Sequence, residues 1–260
     1  MTQSEDILKV TSLTKAFGGL VAIFDLDFTI SRGIIKAIIG PNGAGKTTLF
    51  NLISGVLPAD TGDIIFNGRS ISKLKSHQIA ERGISRTFQT VELFKELTVL
   101  QNVMIGRHVR TRKGILSAGF KTPGSRKEER SILEKARYYL DFVGLSQKAG
   151  QEAGSLPLGQ QKLLEIARAL ATEPELILLD EPAAGLNETE TETAAQLFKA
   201  IRDEGITVVL VEHDMHLVMN VAEEVLVLDY GRKIADATPE VVRSDPAVIN
   251  AYLGAEIEYA

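Results

Sequence analysis

The stretch Gly40-Pro41-Asn42-Gly43-Ala44-Gly45-Lys46-Thr47 decides the fold of this chain of 260 residues. It follows the apolar run IIKAII and precedes the helical pattern TTLFNLIS, so it joins a buried strand to the start of a helix. Its glycines tolerate backbone angles that turn N–H groups toward phosphate oxygens. The stretch therefore predicts a phosphate-binding loop.

The side chains of this loop predict a site for a nucleoside triphosphate. Lys46 is expected to supply positive charge to the β- and γ-phosphates, and Thr47 to offer its hydroxyl to Mg²⁺. The other expected nucleotide contacts of the loop and the first helical turn are Gly40, Pro41, Asn42, Gly43, Ala44, Gly45 and Thr48. A plain glycine-rich turn is the alternative, but a chance match would occur in roughly one chain in a hundred. Its place between a strand and a helix favours the nucleotide site.

Two adjacent carboxylates, Asp180 and Glu181, follow another apolar strand, Leu176 to Leu179. Open α/β sheets bind ligands at the carboxyl ends of their strands. Asp180 is expected to hold Mg²⁺, and Glu181 to polarise a water molecule for in-line attack on the γ-phosphate. A capping or salt-bridge role is the alternative for an isolated Asp-Glu pair. Together with the phosphate loop, the pair favours hydrolysis of a nucleoside triphosphate, whereas the loop on its own would equally serve a kinase, a GTPase or a helicase.

Short runs rich in Val, Ile and Leu recur along the chain and predict an α/β fold. In the N-terminal third, FDLDFTI alternates apolar and polar residues and Asn67-Gly68 is a strong hairpin signal, which predicts additional antiparallel sheet. Between about 91 and 155 the pattern is helical, and ERSILEKARYYLDFVGL ends at Gly144. Three runs are apolar on both faces, as strands of a covered parallel sheet are: Ile34 to Ile39, Leu176 to Leu179 and Thr207 to Val211.

The composition argues against several classes of protein. With 29 basic and 34 acidic residues the net charge is -5, so no nucleic-acid partner is expected. The chain has no cysteine, which excludes disulfides and thiolate metal sites and fits a reducing compartment. The segment MTQSEDILKV is polar where a secretory signal is apolar, and no apolar run reaches the roughly 20 residues of a transmembrane helix. A cytoplasmic location is expected, with any membrane connection made through a partner.

Two other segments carry local signals. The segment Arg107 to Arg130 is rich in basic residues and glycine, which predicts an exposed loop. A solvated connection and a contact with a partner or with anionic lipid are both compatible with that composition. Near the C-terminus, Thr238-Pro239 and Asp245-Pro246 each predict the start of a short helix.

Further motifs occur in the order in which the ATP-binding cassette (ABC) family carries them, and the resemblance runs almost from end to end. Thr87-Phe88-Gln89 resembles the glutamine loop of the family. Ala184 to Asn187 resembles its D-loop, and Glu212-His213-Asp214 resembles its switch-histidine segment. Phe17 lies where the family stacks an aromatic ring on adenine. The resemblance implies a nucleotide-binding fold with a mostly parallel sheet, an N-terminal antiparallel subdomain and an inserted helical subdomain.

The resemblance also implies roles for single residues. Gln89 would contact Mg²⁺ or the attacking water and sense the helical subdomain, and His213 would contact the γ-phosphate, next to the catalytic Glu181. Phe17 would contact the adenine of ATP. A polar surface position is the alternative for an isolated glutamine or histidine, and a core position is the alternative for Phe17.

The segment Leu156 to Gln161 lies at the place of the family signature, but it departs from the usual Leu-Ser-Gly-Gly-Gln. Pro157 replaces the serine, and Leu158 replaces the first glycine. Gly159 and Gln160 remain at the start of the helix GQQKLLEIARALA, where N–H groups and the positive helix end can face an anion. A helix that only packs is the alternative. In this family the signature completes the nucleotide site of a second copy, which implies a dimer with an identical or related ABC ATPase subunit.

Several passages resemble the branched-chain amino-acid uptake ATPases within the family. They are FGGLVAI, LPLGQQKLLEIARAL, DEPAAGLNETET, VEHDMHLVMNVAEEVLVLDYG and the ending AYLG. This resemblance implies an ATP-hydrolysing subunit on the inner face of the cell membrane, bound to membrane permease subunits and served by a periplasmic or extracellular solute-binding protein. It also implies one ABC ATPase domain over residues 1–260, with a nucleotide-binding core (1–90 and 160–260) and a helical subdomain (91–159).

Other members of the family remain alternatives. ATPases that import urea or short amides share much of the pattern, as does the lipopolysaccharide-export ATPase, although that exporter keeps a serine in its signature. Soluble ABC ATPases of DNA repair or translation usually carry a coiled-coil insertion or two cassettes, neither of which fits in 260 residues. A nucleotide-binding regulator that does not hydrolyse ATP would be expected to lack Glu181 or His213.

Overall fold

The computed structural model describes residues 6–107 and 123–257. The strands, in chain order, are β1 (Asp6–Phe17), β2 (Leu20–Ser31), β3 (Ile35–Ile39), β4 (Thr61–Phe66), β5 (Arg69–Ser70), β6 (Ile84–Arg86), β7 (Leu176–Asp180), β8 (Thr207–Val211), β9 (Glu224–Asp229) and β10 (Arg232–Ala237). The α-helices are α1 (Lys46–Ile53), α2 (Ser76–Arg82), α3 (Val99–Arg107), α4 (Pro123–Phe142), α5 (Leu158–Leu170), α6 (Glu188–Asp203), α7 (Met215–Val221), α8 (Pro239–Ser244) and α9 (Pro246–Ile257). Two 3-10 turns, Ser146–Lys148 and Ala153–Ser155, lie between α4 and α5.

The central sheet has six strands in the order β10-β9-β3-β8-β7-β6, and β10 alone pairs antiparallel within it. Every residue of β3, β7 and β8 is buried, as the three runs that are apolar on both faces predict. The phosphate loop follows β3, Glu181 follows β7 and His213 follows β8 shortly after its end. Because these strands are neighbours in the sheet, their carboxyl ends bring the three predicted site segments to one edge.

The antiparallel sheet, ordered β2-β1-β4-β5, covers one face of the central sheet together with α1. The hairpin between β4 and β5 turns at Asn67 and Gly68, which both have positive φ (49° and 71°). Positive φ at both central residues is the geometry that an Asn-Gly pair favours in a two-residue hairpin. The predicted hairpin and the predicted antiparallel sheet are both confirmed.

Helices α3 to α7 cover the other face of the central sheet. Successive side chains of β3 point to opposite faces of the sheet. Ile35, Ala37 and Ile39 pack in the core on this face, and Ile38 packs in the core on the opposite face. The predicted helix before Gly144 is α4, which ends at Phe142, and Gly144 follows with φ 77°. Among the described residues, no helix has both the length and the apolar composition needed to cross a bilayer.

The predicted loop from Arg107 to Arg130 is only partly tested, because residues 108–122 lie outside the described ranges. At its described ends the prediction is wrong, since Arg107 ends α3 and residues 123–130 belong to α4. Pro123 starts α4 because proline fits the first helical position. Arg107 is largely buried and its Nη1 lies 2.8 Å from Glu173 Oε2, so it is not an exposed loop residue. The predicted C-terminal helices are confirmed as α8 and α9.

Candidate nucleotide site

The phosphate loop is held in shape by two glycines that pack against backbone. Gly40 has φ 150°, and a Cβ built there would overlap the carbonyl oxygen of Leu228 in β9. Gly45 has φ 102°, and a Cβ there would lie 2.6 Å from the carbonyl oxygen of Ala22 in β2. A side chain at either position would push the loop away from the strands that support it.

Lys46 is buried within the loop, with a relative exposure of 6%. Its Nζ donates hydrogen bonds to the carbonyl oxygens of Gly40 at 2.7 Å and Pro41 at 2.9 Å. Burial lowers the pKa of Lys46, and the charges of Glu181 and Asp180 oppose that shift. The loop therefore holds a desolvated ammonium group where an anion would gain most from it.

A cleft of about 440 Å³ lies beside the phosphate loop, within the size range of small-molecule sites. One end is aromatic and apolar, and its lining includes Phe17 and Tyr230, whose relative exposures are 45% and 72%. The other end is polar and is lined by Gln89, Glu181 and His213. Residues 42–48 of the loop also line the cleft. A nucleobase suits the first end and phosphates suit the second.

The three predicted catalytic residues form one hydrogen-bonded group. Glu181 Oε1 lies 2.8 Å from His213 Nε2, and Glu181 Oε2 accepts a hydrogen bond from Gln89 Nε2 at 3.2 Å. Glu181 has a backbone φ of 48°, in the left-handed region, which residues other than glycine adopt only at a cost in conformational free energy. Its N–H donates to Val211 O at 3.0 Å, and its carbonyl accepts from Lys162 Nζ at 2.9 Å. Backbone contacts on both sides thus hold the strained residue in place.

A second, buried carboxylate joins the segment after β7 to the segment after β8. Glu212 is 3% exposed, and it accepts hydrogen bonds from the backbone N–H groups of Ala183 at 2.7 Å and His213 at 3.2 Å. Burial raises the pKa of Glu212, while these hydrogen bonds lower it. Burial also lowers the pKa of the nearby Lys162. From the sequence, Glu212 is identified only as a member of the switch-histidine segment, with no predicted contact, and Lys162 is assigned no role.

Asp180 lines a smaller pocket with Thr87 and Glu181, and Glu181 also lines the cleft. It is 3% exposed, its Oδ2 accepts a hydrogen bond from Arg86 Nη2 at 2.8 Å, and its Oδ1 has no partner. A buried oxygen without a partner costs free energy until a ligand satisfies it, and carboxylate and hydroxyl oxygens suit Mg²⁺. Asp180 Oδ1 fits the predicted metal, with Thr47 and Gln89 lining the adjoining cleft.

The part of the chain that the structure describes contains no cluster of three His, Cys, Asp or Glu side chains that could hold a metal by itself. Mg²⁺ commonly binds to one or two carboxylates and completes its coordination with substrate phosphates and water. The few protein oxygens around Asp180 are therefore compatible with a metal that arrives with a nucleotide.

Four predicted nucleotide contacts do not line the cleft: Gly40 and Pro41 at the start of the loop, and Gly159 and Gln160 in the signature. Gly159 packs under α6, where a Cβ would lie 2.8 Å from Glu190 Oε1. Gln160 Oε1 accepts a hydrogen bond from Lys148 Nζ at 2.6 Å. Pro157 is the N-cap of α5, with φ -56° and ψ 154°. Along the cleft the structure thus brings together residues 42–48 of the loop, Gln89, Glu181 and His213, but not Gly40, Pro41 or the signature.

Family comparisons agree with the order of the motifs. Residues 23–184 match the family model described as ABC transporter. Residues 232–258 match a second model, described as branched-chain amino acid ATP-binding cassette transporter. The first match includes the phosphate loop, Asp180 and Glu181, whereas the second begins at the start of β10.

Curated proteins of similar length match almost the whole chain. The high-affinity branched-chain amino acid transport ATP-binding protein BraF of Pseudomonas aeruginosa is 44% identical over 252 residues, covering 96% of this chain and 99% of that protein. The high-affinity branched-chain amino acid transport ATP-binding protein LivG of Escherichia coli K12 is 40% identical, with the same coverage of both chains.

Solved structures match the fold as extensively. A crystal structure of a nucleotide-free ATP-binding cassette from an ABC transporter superimposes with a TM-score of 0.84 at 35% identity, covering 95% of this chain and 99% of that one. A crystal structure of the ADP conformation of an ATP-binding cassette from an ABC transporter superimposes with a TM-score of 0.84 at 36% identity, covering 96% of this chain and 99% of that one. The dimeric structure of a bacterial ABC transporter cassette superimposes with a TM-score of 0.76 at 26% identity, covering 89% of this chain and 98% of that one.

Proposed function

Because this chain belongs to the ABC transporter family and is an ATP-binding, ATP-hydrolysing subunit, we propose that it powers the import of branched-chain amino acids. The match of residues 232–258 to the branched-chain model carries this proposal, because that segment lies outside the phosphate loop and the catalytic cluster. The near full-length identity with BraF and LivG supports the same solute class.

The cluster at the polar end of the cleft supports a direct attack of water on the γ-phosphate. In this mechanism Lys46 binds the β- and γ-phosphates. The oxygen of the attacking water forms a bond to the γ-phosphorus while the bond between that phosphorus and the leaving ADP breaks. Glu181 accepts the proton that the water loses. His213 and Gln89, each hydrogen-bonded to one oxygen of Glu181, orient that carboxylate. In the presence of nucleotide, His213 contacts the γ-phosphate, and Gln89 contacts the water or the metal.

Asp180, Thr47 and Gln89 are the residues that would hold Mg²⁺. The metal would supply positive charge to the β- and γ-phosphates as negative charge moves to the leaving group. The chain's own contribution is the orientation of these oxygens: Asp180 ends the buried strand β7, and Thr47 lies in the first turn of α1.

At the apolar end of the cleft, Phe17 is proposed to stack on adenine. Phe17 is 45% exposed and lines the cleft, so it is accessible to a ligand. Lys15 Nζ lies 5.5 Å from the ring centroid and forms a 2.7 Å ion pair with Asp60, so the strand end that carries Phe17 is anchored. An anchored aromatic ring loses little further freedom when a base stacks on it.

The signature residues Gly159 and Gln160 are proposed to act on the nucleotide of a second cassette subunit, identical or related. Their absence from the cleft of their own chain and the similarity to a dimeric cassette support this arrangement. Residues 1–260 form one ABC ATPase domain in this proposal, with 1–90 and 160–260 as its nucleotide-binding core and 91–159 as its helical subdomain. The dimer would bind membrane permease subunits on the cytoplasmic face of the cell membrane and would act with a periplasmic or extracellular binding protein.

Reconstitution tests the solute class. The chain would be purified with its proposed permease subunits, incorporated into vesicles with the proposed binding protein, and supplied with MgATP. We expect ATP-dependent uptake of labelled leucine, isoleucine or valine, and none with Glu181→Gln. Uptake of urea or a short amide in place of these amino acids, or export from the vesicles, would contradict the proposed solute class or direction.

Pro157→Ser is expected to leave the ATP turnover within about one order of magnitude of the parent. Serine is a good N-cap residue, and the backbone N–H groups at the start of α5 are unchanged by the substitution. Steady-state phosphate release measures the effect. Gly159→Ala is the matched comparison, because its Cβ would lie 2.8 Å from Glu190 Oε1 and would displace that carboxylate while leaving the backbone N–H groups of α5 in place. A change in turnover well beyond tenfold for Pro157→Ser would refute a signature that acts through its backbone.

A further inference from the structure

Arg86, the last residue of β6, makes a buried contact with the proposed metal ligand. Its Nη2 lies 2.8 Å from Asp180 Oδ2, and the two side chains are 7% and 1% exposed. Its Nη1 donates hydrogen bonds to Asn51 Oδ1 at 2.7 Å and to Ser54 Oγ at 3.0 Å. Asn51 lies in α1 and Ser54 is the C-cap of that helix, so the guanidinium joins α1 to β7.

Aromatic rings restrict the guanidinium further. Its central carbon lies 5.6 Å from the ring centroid of Phe50 and 5.3 Å from that of Phe88, distances at which a cation is attracted to the ring. Phe88 directly precedes Gln89. A planar group held by two hydrogen-bond acceptors on α1, one carboxylate oxygen and two rings keeps one orientation, and so does the carboxylate bonded to it.

This pairing divides the two oxygens of Asp180 between two tasks. Oδ2 is neutralised by Arg86, whereas Oδ1 is buried without a hydrogen-bond partner. A carboxylate that is free to rotate would present either oxygen, or both, to a cation. The pair leaves one oxygen of defined direction, which is the arrangement that outer-shell partners give to metal-binding carboxylates.

We propose that Arg86 is a positioning residue for the metal: it fixes the Asp180 carboxylate so that Oδ1 alone faces Mg²⁺. Arg86 is also only three residues before Gln89, so a movement of the loop that carries Gln89 would change the orientation of Asp180 Oδ1. The inference rests on the proposed metal role of Asp180. It assigns Arg86 no contact with the nucleotide, so its effect should appear only when a metal is present.

The test measures how much Mg²⁺ improves nucleotide binding. The affinity for a fluorescent, non-hydrolysable ATP analogue would be determined by titration in excess chelator and again in excess Mg²⁺, for the parent, Arg86→Met and Arg86→Lys. We expect the affinity in chelator to stay within about twofold of the parent, and the gain from Mg²⁺ to fall by about 10- to 100-fold in Arg86→Met. Arg86→Lys, which keeps the charge but loses the planar fork, should show a smaller loss in the same direction.

Arg107→Met is the matched control for the loss of a buried arginine. Arg107 is 12% exposed, forms a 2.8 Å ion pair with Glu173 and, like Arg86, has a buried Nε without a hydrogen-bond partner, but its ion pair is remote from Asp180. We expect its variant to lower the unfolding temperature and to keep the full gain from Mg²⁺. If Arg86→Met does not fold, Arg86→Lys decides the result, because it retains a cation beside Asp180.

Asp180→Asn separates the two proposals. If this variant keeps the full gain from Mg²⁺, the metal role of Asp180 is wrong, and the inference about Arg86 fails with it. If Asp180→Asn loses the gain while the folded Arg86 variants keep it, Asp180 is a ligand and Arg86 is only part of the core packing. That second result would overturn the inference and leave the proposed function intact.

Discussion

Replacing Glu181 by glutamine is expected to lower the ATP turnover by about 10²- to 10⁴-fold while MgATP still binds. Glutamine has the size of glutamate and can still bond to His213 and Gln89, but its amide does not take a proton from water. Lys46 and Asp180 are unchanged, so the nucleotide keeps its phosphate contacts. The trapped ATP is expected to hold two cassettes together, so the variant should accumulate as a dimer.

Phosphate release measures the turnover of Glu181→Gln, and light scattering with and without MgATP measures the dimer. Glu134→Gln is the matched control, because it makes the same chemical change at a carboxylate that is 70% exposed on α4. It is expected to leave both quantities unchanged. Near-normal turnover in Glu181→Gln would rule out Glu181 as the general base.

Replacing Lys46 by methionine is expected to weaken ATP binding by about 10- to 100-fold, because a hydrogen-bonded charge in contact with the phosphates is lost. The fold should tolerate the change, since burial already disfavours the charged form of this lysine. Titration with a fluorescent ATP analogue measures the affinity, and thermal unfolding measures the stability.

Lys36→Met provides the comparison for Lys46→Met. Lys36 is a second buried lysine, 2% exposed, and its Nζ lies 2.6 Å from Asp236 and 3.0 Å from Glu224. Its loss leaves two carboxylates without their cation, so it should lower the unfolding temperature but preserve the affinity for ATP. Equal affinity losses in the two variants would show that the Lys46 effect is general destabilisation.

The parts of the site that can be predicted from the sequence are formed by residues that are adjacent or nearly adjacent in the chain. The phosphate loop contains its strand end, its glycines and its helix start within a few residues, and the strand before Glu181 is apolar throughout. A short segment therefore carries both the chemistry and the conformation that presents it. The parallel pairing of the central strands follows from the same apolar runs, which is why the α/β fold is also predictable.

The parts that the sequence does not predict depend on contacts between distant segments. Arg86 and Asp180 are 94 residues apart and meet because β6 and β7 pair in parallel. Lys162 reaches the carbonyl of Glu181 from α5. Tyr230 lines the cleft only because the turn after β9 lies beside it, where Gly231 N donates to Ala44 O at 3.0 Å. The sequence patterns assign no role to Arg86, Lys162 or Tyr230, so packing alone reveals their contacts.

The left-handed backbone of Glu181 bears on how the protein evolves. A glutamate with φ 48° is less stable than glycine in the same conformation by about 1 kcal/mol. Selection for stability alone would therefore favour glycine at position 181, and selection for turnover would oppose it. A laboratory lineage propagated only for heat resistance should acquire glycine there and lose hydrolysis, whereas a lineage that depends on transport should keep the glutamate and gain its stability elsewhere.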